Sequence, residues 1–239
     1  MTSIPNATRN TEDFEFQALN EARNYRNALL REFGPFLKGN VLEVGAGVGQ
    51  LTEELRRLGP VQKLCAVEPD EVFCERIRAK FPDQQVVHGT IENLEERQGW
   101  SSIISVNVLE HIEEDEAELK SYRQLLADKG GWLCLFVPAR PEIYAPIDRD
   151  FGHFRRYTRG ALRSRLEAAG FSVDRLRYYN FAGYFAWWLN FCVLKKRGFE
   201  RNAVRFFDRA IFPLVNWSET SISAPPIGQS LLAIARANR

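Results

Sequence analysis

Three glycines at alternate positions, Gly45, Gly47 and Gly49, join a short apolar run to an amphipathic one: Val41-Leu42-Glu43-Val44-Gly45-Ala46-Gly47-Val48-Gly49-Gln50-Leu51-Thr52. The apolar run reads as a buried strand, the glycines as a turn, and the residues after them as the start of a helix. Such a strand, turn and helix make a nucleotide-type site, and the spacing narrows the ligand. A dinucleotide fingerprint needs its third glycine three residues after the second, whereas Gly49 follows Gly47 by two. A phosphate-cradling loop ends in Lys-Ser/Thr, and no such pair follows here. Glycines allow close backbone approach, and Glu43 lies just upstream. Together they suit a ligand with an amino-acid end, whose carboxylate meets backbone N–H groups and whose ammonium the acid helps to hold.

Composition excludes several function classes. The 239 residues are 45% hydrophobic, enough to bury one core, most simply as a single domain spanning 1–239 with an insertion. A formal charge of +1 gives no global pull toward nucleic acid. The four cysteines, Cys65, Cys74, Cys134 and Cys192, form no C-x-x-C pair and read as reduced, buried thiols. Residues 1–13 are polar and lack the apolar core of a signal peptide. No apolar run reaches the ~18 to 20 residues needed to cross a bilayer. A cytoplasmic protein is expected, at most peripheral to a membrane.

The remaining punctuation predicts alternating strands and helices. Residues 12–33 read as an amphipathic helix or helix pair stopped by Gly34-Pro35, within an N-terminal cap covering 1–38. Gly59-Pro60 ends the helix after the glycine loop. Strands are expected at 63–67, 85–88, 102–107, 132–138, 171–179 and 228–236. The first of these delivers Glu68 at its end, where a carboxylate can accept both ribose hydroxyls, with Pro69 beside it. Asp70 is placed to cap the following helix. The long loop from Pro138 to Tyr157 follows the C-terminal end of a parallel strand, where α/β proteins keep function.

At these residues the chain resembles the class I S-adenosylmethionine-dependent methyltransferases, whose first motif is an acid, one residue, then G-x-G-x-G. The Asn107-Val108-Leu109-Glu110-His111-Ile112 run is similar to their post-strand motif, and a general likeness extends to bacterial methyltransferases found with cell-surface glycan enzymes. The resemblance covers roughly residues 20–180 and the last ten. It implies a Rossmann-like, seven-stranded, mostly parallel sheet with an antiparallel last strand and helices on both faces. It also implies S-adenosylmethionine as donor and S-adenosylhomocysteine as product. The expected donor site comprises Tyr25 from the cap, Glu43, Gly45, Ala46, Gly47, Gly49, Glu68, Pro69, Thr90, Ile91, Asn107 and Val108. The chain departs from the pattern at Thr90, where relatives often place an acid for the adenine, and at Ser101-Ser102, where an aspartate usually opens the strand.

Methyl transfer from a sulfonium is an in-line displacement, so the protein must align the acceptor and can help by removing its proton. Of three histidines, His153 is the first candidate base, against a plain structural role in its loop, and His111 the second. Arg155, Arg156 and Tyr157 are candidate acceptor-binding residues, although the two arginines can equally pair with Asp148 and Asp150. The run also resembles stretches of small-RNA 2′-O-methyltransferases and quinone-biosynthesis O-methyltransferases that bind a divalent cation. By that likeness Glu110, His111 and His153 form a possible but unfavoured metal set, since Asn107 stands where the first acid would be.

Residues 181–227 exceed what the simplest sheet needs. Phe181 to Leu194 is aromatic-rich, Lys195-Lys196-Arg197 follows, and Val204, Phe207, Ile211 and Leu214 recur at helical spacing beside Arg201, Arg205 and Arg209. A substrate lid, a homodimer face and a membrane-surface patch through 181–217 all remain open. The leading expectation is O-methylation of a small-molecule, glycan, lipid-linked or quinone-like acceptor. Alternatives are N- or C-methylation, or a cofactor-binding regulatory subunit without turnover. Nucleic acid is disfavoured for want of a basic stripe, and an oxidoreductase by the glycine spacing.

Overall fold

The computed structural model describes residues 21–126 and 130–238. Expectations for residues 1–20 lie outside the described part, and the cap is represented by α1 (Arg23–Phe33). The strands are β1 (Gly39–Val44), β2 (Val61–Glu68), β3 (Gln85–His88), β4 (Ser102–Val106), β5 (Trp132–Pro138), β6 (Phe171–Tyr179) and β7 (Ser230–Ala237). They form one sheet in the order β3-β2-β1-β4-β5-β7-β6. β1 to β5 pair in parallel, and β7 runs antiparallel between β5 and β6. This is the Rossmann-like, doubly wound sheet with an antiparallel last strand that the motif order implies.

The central strands show why they lie inside. β5 is buried along nearly its whole length and β7 is exposed only at Arg236, as a strand covered on both faces must be. One apolar layer, including Leu42, Trp100, Tyr122 and Leu166, fills the face covered by α4 (Asp115–Leu126) and α6 (Arg159–Ala168). The other, including Leu29, Phe33, Phe136 and Tyr179, takes α1 and part of the insertion. α2 (Gln50–Leu55) starts at Gly49, and α3 (Glu71–Lys80) is capped by Asp70, whose carboxylate accepts N–H bonds from Val72 and Phe73. The strand order reverses on either side of β1 and β4, so the ends of these two strands border the crevice where α/β sheets bind ligands.

Two stretches differ from their sequence expectation. The 138–157 loop contains a short turn at Pro141–Ile143 and a five-residue helix, α5 (Pro146–Asp150). Ile143, Ala145, Ile147 and Phe151 anchor it on Trp187 and Phe191 of the insertion, a satellite core that gives this loop a fixed shape. The insertion folds as α7 (Phe181–Trp187) continued by a π-helical turn to Val193, then α8 (Arg201–Phe206), a second π turn at Phe207–Ile211, and α9 (Phe212–Ser221). The first run thus ends in a π turn and the second carries one at mid-length, a widening that re-aims side chains and recurs near functional sites.

Candidate active site

The glycine loop is held in a shape that only glycine accepts. Gly45, Gly47 and Gly49 all have positive φ, at 73°, 55° and 79°. A Cβ on Gly45 would stand 2.3 Å from Val108 Cγ2, so the turn after β1 and the turn after β4 are fitted to each other. Glu68, at the end of β2, supports the same loop: its Oε2 accepts the Gly47 N–H at 2.7 Å and its Oε1 the Asp70 N–H at 2.9 Å. Asn107 ends β4 with φ 53°, a left-handed conformation that asparagine tolerates.

Glu43 occupies a different place from the one expected of a ligand-facing acid. It is 1% exposed, and its Oε2 accepts the Thr52 hydroxyl at 2.7 Å, tying β1 to α2 beneath the loop. Burial pushes its carboxyl up to about 8, helped by the charge of Glu68 and opposed by Thr52. An acid held mostly neutral is a poor ammonium partner, so the structure makes Glu43 a support of the loop. Thr90 is likewise committed: its hydroxyl accepts the Glu92 N–H and caps the turn Ile91–Asn93, while Ile91 is buried beside it. Pro69 is exposed, its carbonyl bonded to His88.

A cavity of about 370 Å³ opens beside Asn107. It is lined by Glu110, His153 and Arg156 from the loops after β4 and β5, by Tyr25 of α1 and Phe136 of β5, and by Trp187, Phe191, Phe199 and Phe207 of the insertion. Tyr25 belongs here through its ring, which packs on Phe212, Tyr179 and Phe136. Its backbone N–H and that of Asn24 are both accepted by the Asp208 carboxylate, so the insertion caps the first turn of α1. Burial raises the Tyr25 hydroxyl far above the usual phenol range.

His153 is the organised group in this cavity. Asp148 Oδ1 lies 3.0 Å from its Nδ1, while Asp148 also takes the Arg156 Nε–H at 2.8 Å and the Ala145 N–H at 2.8 Å. An ionised Asp148 assigns the proton to Nδ1, which leaves Nε2 as the acceptor, and Nε2 is buried without a partner. Burial alone would raise the Asp148 carboxyl; His153 and Arg156 outweigh it and hold it below its ordinary value. The His111 ring stands edge-on to His153, with centroids 4.6 Å apart. Although His111 is exposed as a residue, desolvation of its ring and the neighbouring His153 hold it below the ordinary histidine range. Glu110, His111 and His153 bring one ligand atom each to within 4.8 Å of one another, so the expected metal set converges in space.

The three acceptor-binding candidates are otherwise engaged. Arg156 borders the cavity, but its guanidinium is bonded to Asp148 and Ala139 O and lies 4.3 Å from the Trp187 ring centroid. Arg155 pairs with Asp115 at 2.9 Å and donates to Glu113 O. The Tyr157 hydroxyl, buried, donates to Asp115 Oδ2 at 2.8 Å and also lies 3.2 Å from Leu109 O. All three brace the loop that carries His153. Asp148, in contrast, is central to the site and was visible in the sequence only as one of two acids preceding His153.

A seven-stranded sheet of this order, with a left-handed glycine turn and an acid ending the second strand, defines the class I methyltransferase fold. The family model described as "Methyltransferase domain" matches residues 17–176, and the chain belongs to that family; it is a class I S-adenosylmethionine-dependent methyltransferase. Among curated proteins it is similar to the ubiquinone biosynthesis O-methyltransferase of Ruegeria sp. (strain TM1040), 26% identical over 119 residues, a match spanning 48% of either chain. Among solved structures it is similar to a chain of the complex between the Haloferax volcanii Trm112 methyltransferase activator and a methyltransferase. That likeness has a TM-score of 0.65 and 15% identity over 99% of this chain and 100% of the other. It is also similar to an S-adenosylmethionine-dependent methyltransferase from Mesorhizobium loti, with a TM-score of 0.58 and 17% identity over 87% and 95% of the two chains. At these identities the structural matches establish the fold.

The residues present fit the donor. Glu68, 6% exposed at the end of β2, holds the Gly47 N–H beside the glycine turn. A carboxylate at that point disfavours a phosphate and suits a ligand rich in hydroxyls.

Proposed function

We propose that the protein transfers a methyl group from S-adenosylmethionine to a hydroxyl oxygen of a small amphipathic acceptor bound in the cavity beside Asn107, with His153 as general base. The carrying observation is the Asp148–His153 pair: Nδ1 is held by a buried carboxylate, and Nε2 is left buried and free on a wall of the cavity.

The donor, when bound, supplies a methyl group already activated by its sulfonium. The backbone of Gly45, Ala46, Gly47 and Gly49 would cradle its amino-acid end, Glu68 would take the ribose hydroxyls, and Ile91 with the backbone of Thr90 would flank the adenine. Asn107, which lines the cavity, and Val108, which packs on Gly45, would lie between the donor and the acceptor. As the acceptor oxygen forms its bond to the methyl carbon, the carbon–sulfur bond breaks with its electron pair passing to sulfur. The hydroxyl proton moves to His153 Nε2, and Asp148 stabilises the imidazolium. The products are a methyl ether, S-adenosylhomocysteine and a proton released later from the imidazole. An amphipathic acceptor is supported by a lining that combines Glu110, His153 and Arg156 with the rings of Phe136, Trp187, Phe191 and Phe199, and the partial likeness to a ubiquinone biosynthesis O-methyltransferase points the same way.

A second reading has an observation of its own. With Glu110, His111 and His153 converging and Asp148 behind His153, a divalent cation could bind the acceptor oxygen and lower its pKa. The test is methyl-labelled donor incubated with lipid, sugar and phenol extracts, with and without excess chelator. Label in a base-stable, chloroform-soluble or phenolic product, undiminished by chelator, supports the base reading; loss on chelation restored by one metal supports the second. No transfer to any fraction by protein that binds the donor would sink both.

A further inference from the structure

The insertion turns a coherent apolar face outward. In α7 and its π turn, Gly183, Trp187 and Phe191 are buried, while Phe181, Phe185, Trp188 and Leu189 are exposed. In α9 and the turn before it, Asp208, Phe212 and Glu219 are buried, while Leu214, at 70% exposure, and Trp217, at 62%, face out. Exposed and buried sets are offset by two residues, about 200° on a helix, so each helix is amphipathic with its second apolar stripe on the solvent side. The two helices touch, and Glu219 of α9 accepts the N–H groups of Asn180 and Phe181 at the start of α7. Nearly all the large exposed apolar side chains of the described residues fall in 181–222. A patch of this extent marks an interaction surface.

Charge says what covers it. Residues 181–222 hold six bases, Lys195, Lys196, Arg197, Arg201, Arg205 and Arg209, against three acids. Two of those acids, Asp208 and Glu219, are buried on backbone N–H groups. Of the six bases, Lys196 pairs with Glu200, Arg197 with Asp150, and Arg201 and Arg205 with Glu21, which leaves Lys195 and Arg209 without an anionic partner among the described residues. The exposed face is therefore aromatic with unpaired cations at Lys195 and Arg209, in a chain whose net charge is only +1. A second copy packed face to face would bring these like charges together, whereas an anionic bilayer meets both the aromatic rings and the cations.

We infer that α7 to α9 form an interfacial surface that docks the protein on anionic phospholipid membranes, with Phe181, Phe185, Trp188, Leu214 and Trp217 in the headgroup region. Phe206, 64% exposed, also lines the cavity, as does Ile211. The cavity thus opens onto the docking face, and a membrane-borne molecule would reach it without crossing water. The surface stands on its own observations and does not depend on which atom is methylated.

The test is co-sedimentation of the full chain with phosphatidylcholine vesicles containing or lacking about one third phosphatidylglycerol. Binding to the anionic vesicles that weakens with salt is expected, with weak binding to neutral ones. The double variant L214S/W217S should lower partitioning at least about tenfold, and K195E/R209E should remove the preference for anionic lipid. V72S, on α3 over the β2–β3 edge of the sheet and away from the insertion, should leave it unchanged. Unaltered thermal midpoints and donor binding would show that the variants are folded. Absence of vesicle binding, equal binding of L214S/W217S and the parent, or a dimer in sedimentation equilibrium that W217S dissociates would each overturn the proposal.

Discussion

Replacing Glu43 by glutamine separates a loop support from a ligand-binding acid. The Glu43 carboxyl is 1% exposed, shares one hydrogen bond with Thr52, and is pushed up to about 8 by burial first and by Glu68 second. In the unfolded chain it titrates near its ordinary value of 4.5. Between those two values the folded state holds a proton that the unfolded state has lost, so stability falls as pH rises. The group's contribution is fully present below the unfolded pKa and lost as pH passes the folded one. Each pH unit in that window is worth about 1.4 kcal/mol, so from about pH 5.5 to about pH 7.5 the parent should lose roughly 2 to 3 kcal/mol relative to a neutral side chain. For a chain of this size that is about 5 to 10 °C in melting temperature. Glutamine keeps the shape and the acceptor for Thr52 but strands an amide NH₂, at a cost of about 1 to 3 kcal/mol independent of pH. Thermal melts of parent and Glu43→Gln across that range should therefore converge or cross as pH rises. A constant gap, or a parent that gains on the variant, would mean that Glu43 is ionised throughout and would refute its role as a neutral support.

Three further outcomes follow from the same geometry. Gly45→Ala should lose at least about tenfold in donor affinity by calorimetry, because a Cβ at 2.3 Å from Val108 and a positive φ both oppose it. Asp148→Asn should destabilise by about 3 to 5 kcal/mol, since Arg156 is buried with that carboxylate as its ion-pair partner; the double variant Asp148→Asn/Arg156→Met should recover much of the loss in urea melts, and full additivity would count against the pair. Because His153 and Arg156 hold the Asp148 carboxyl below its ordinary value against burial, its stabilisation is present above the usual carboxylate range and lost on acidification. The parent's melting temperature should accordingly fall with acid more steeply than that of Asp148→Asn.

Much of the fold was legible because its signals are local. The Gly45–Gly49 turn, the apolar runs of β4 and β5, and the Gly-Pro stop after α2 each state their structure within a few residues, and the parallel order follows from their alternation. The positions of Gly45, Glu68 and Asn107 shared that legibility, since they lie at strand ends. The acceptor side did not. For Arg155 and Arg156 the sequence left acceptor binding and pairing with Asp148 or Asp150 both open; Arg156 does pair with Asp148, whereas Asp115 and Leu109, which hold Arg155 and Tyr157, arrive from other elements. The value of Glu43 depended on how deeply β1 is covered, a property of the packed sheet. Asp208 and Glu219, which fasten the insertion to α1 and α7, act through backbone N–H groups that no spacing rule reveals. Val204, Phe207, Ile211 and Leu214 were readable as helical periodicity, yet the inward face of Phe181–Val193 was decided by packing of Trp187 and Phe191 on the 138–157 loop.

The central claim is that His153 Nε2, set by Asp148, removes the acceptor proton. It is tested most directly by single-turnover methyl transfer in His153→Gln, using the product found in the extract screen and with donor affinity measured on the same preparation. The account predicts donor affinity within about threefold of the parent and transfer slowed by about 10² to 10⁴. Transfer at the parental rate, with donor still bound, would contradict it.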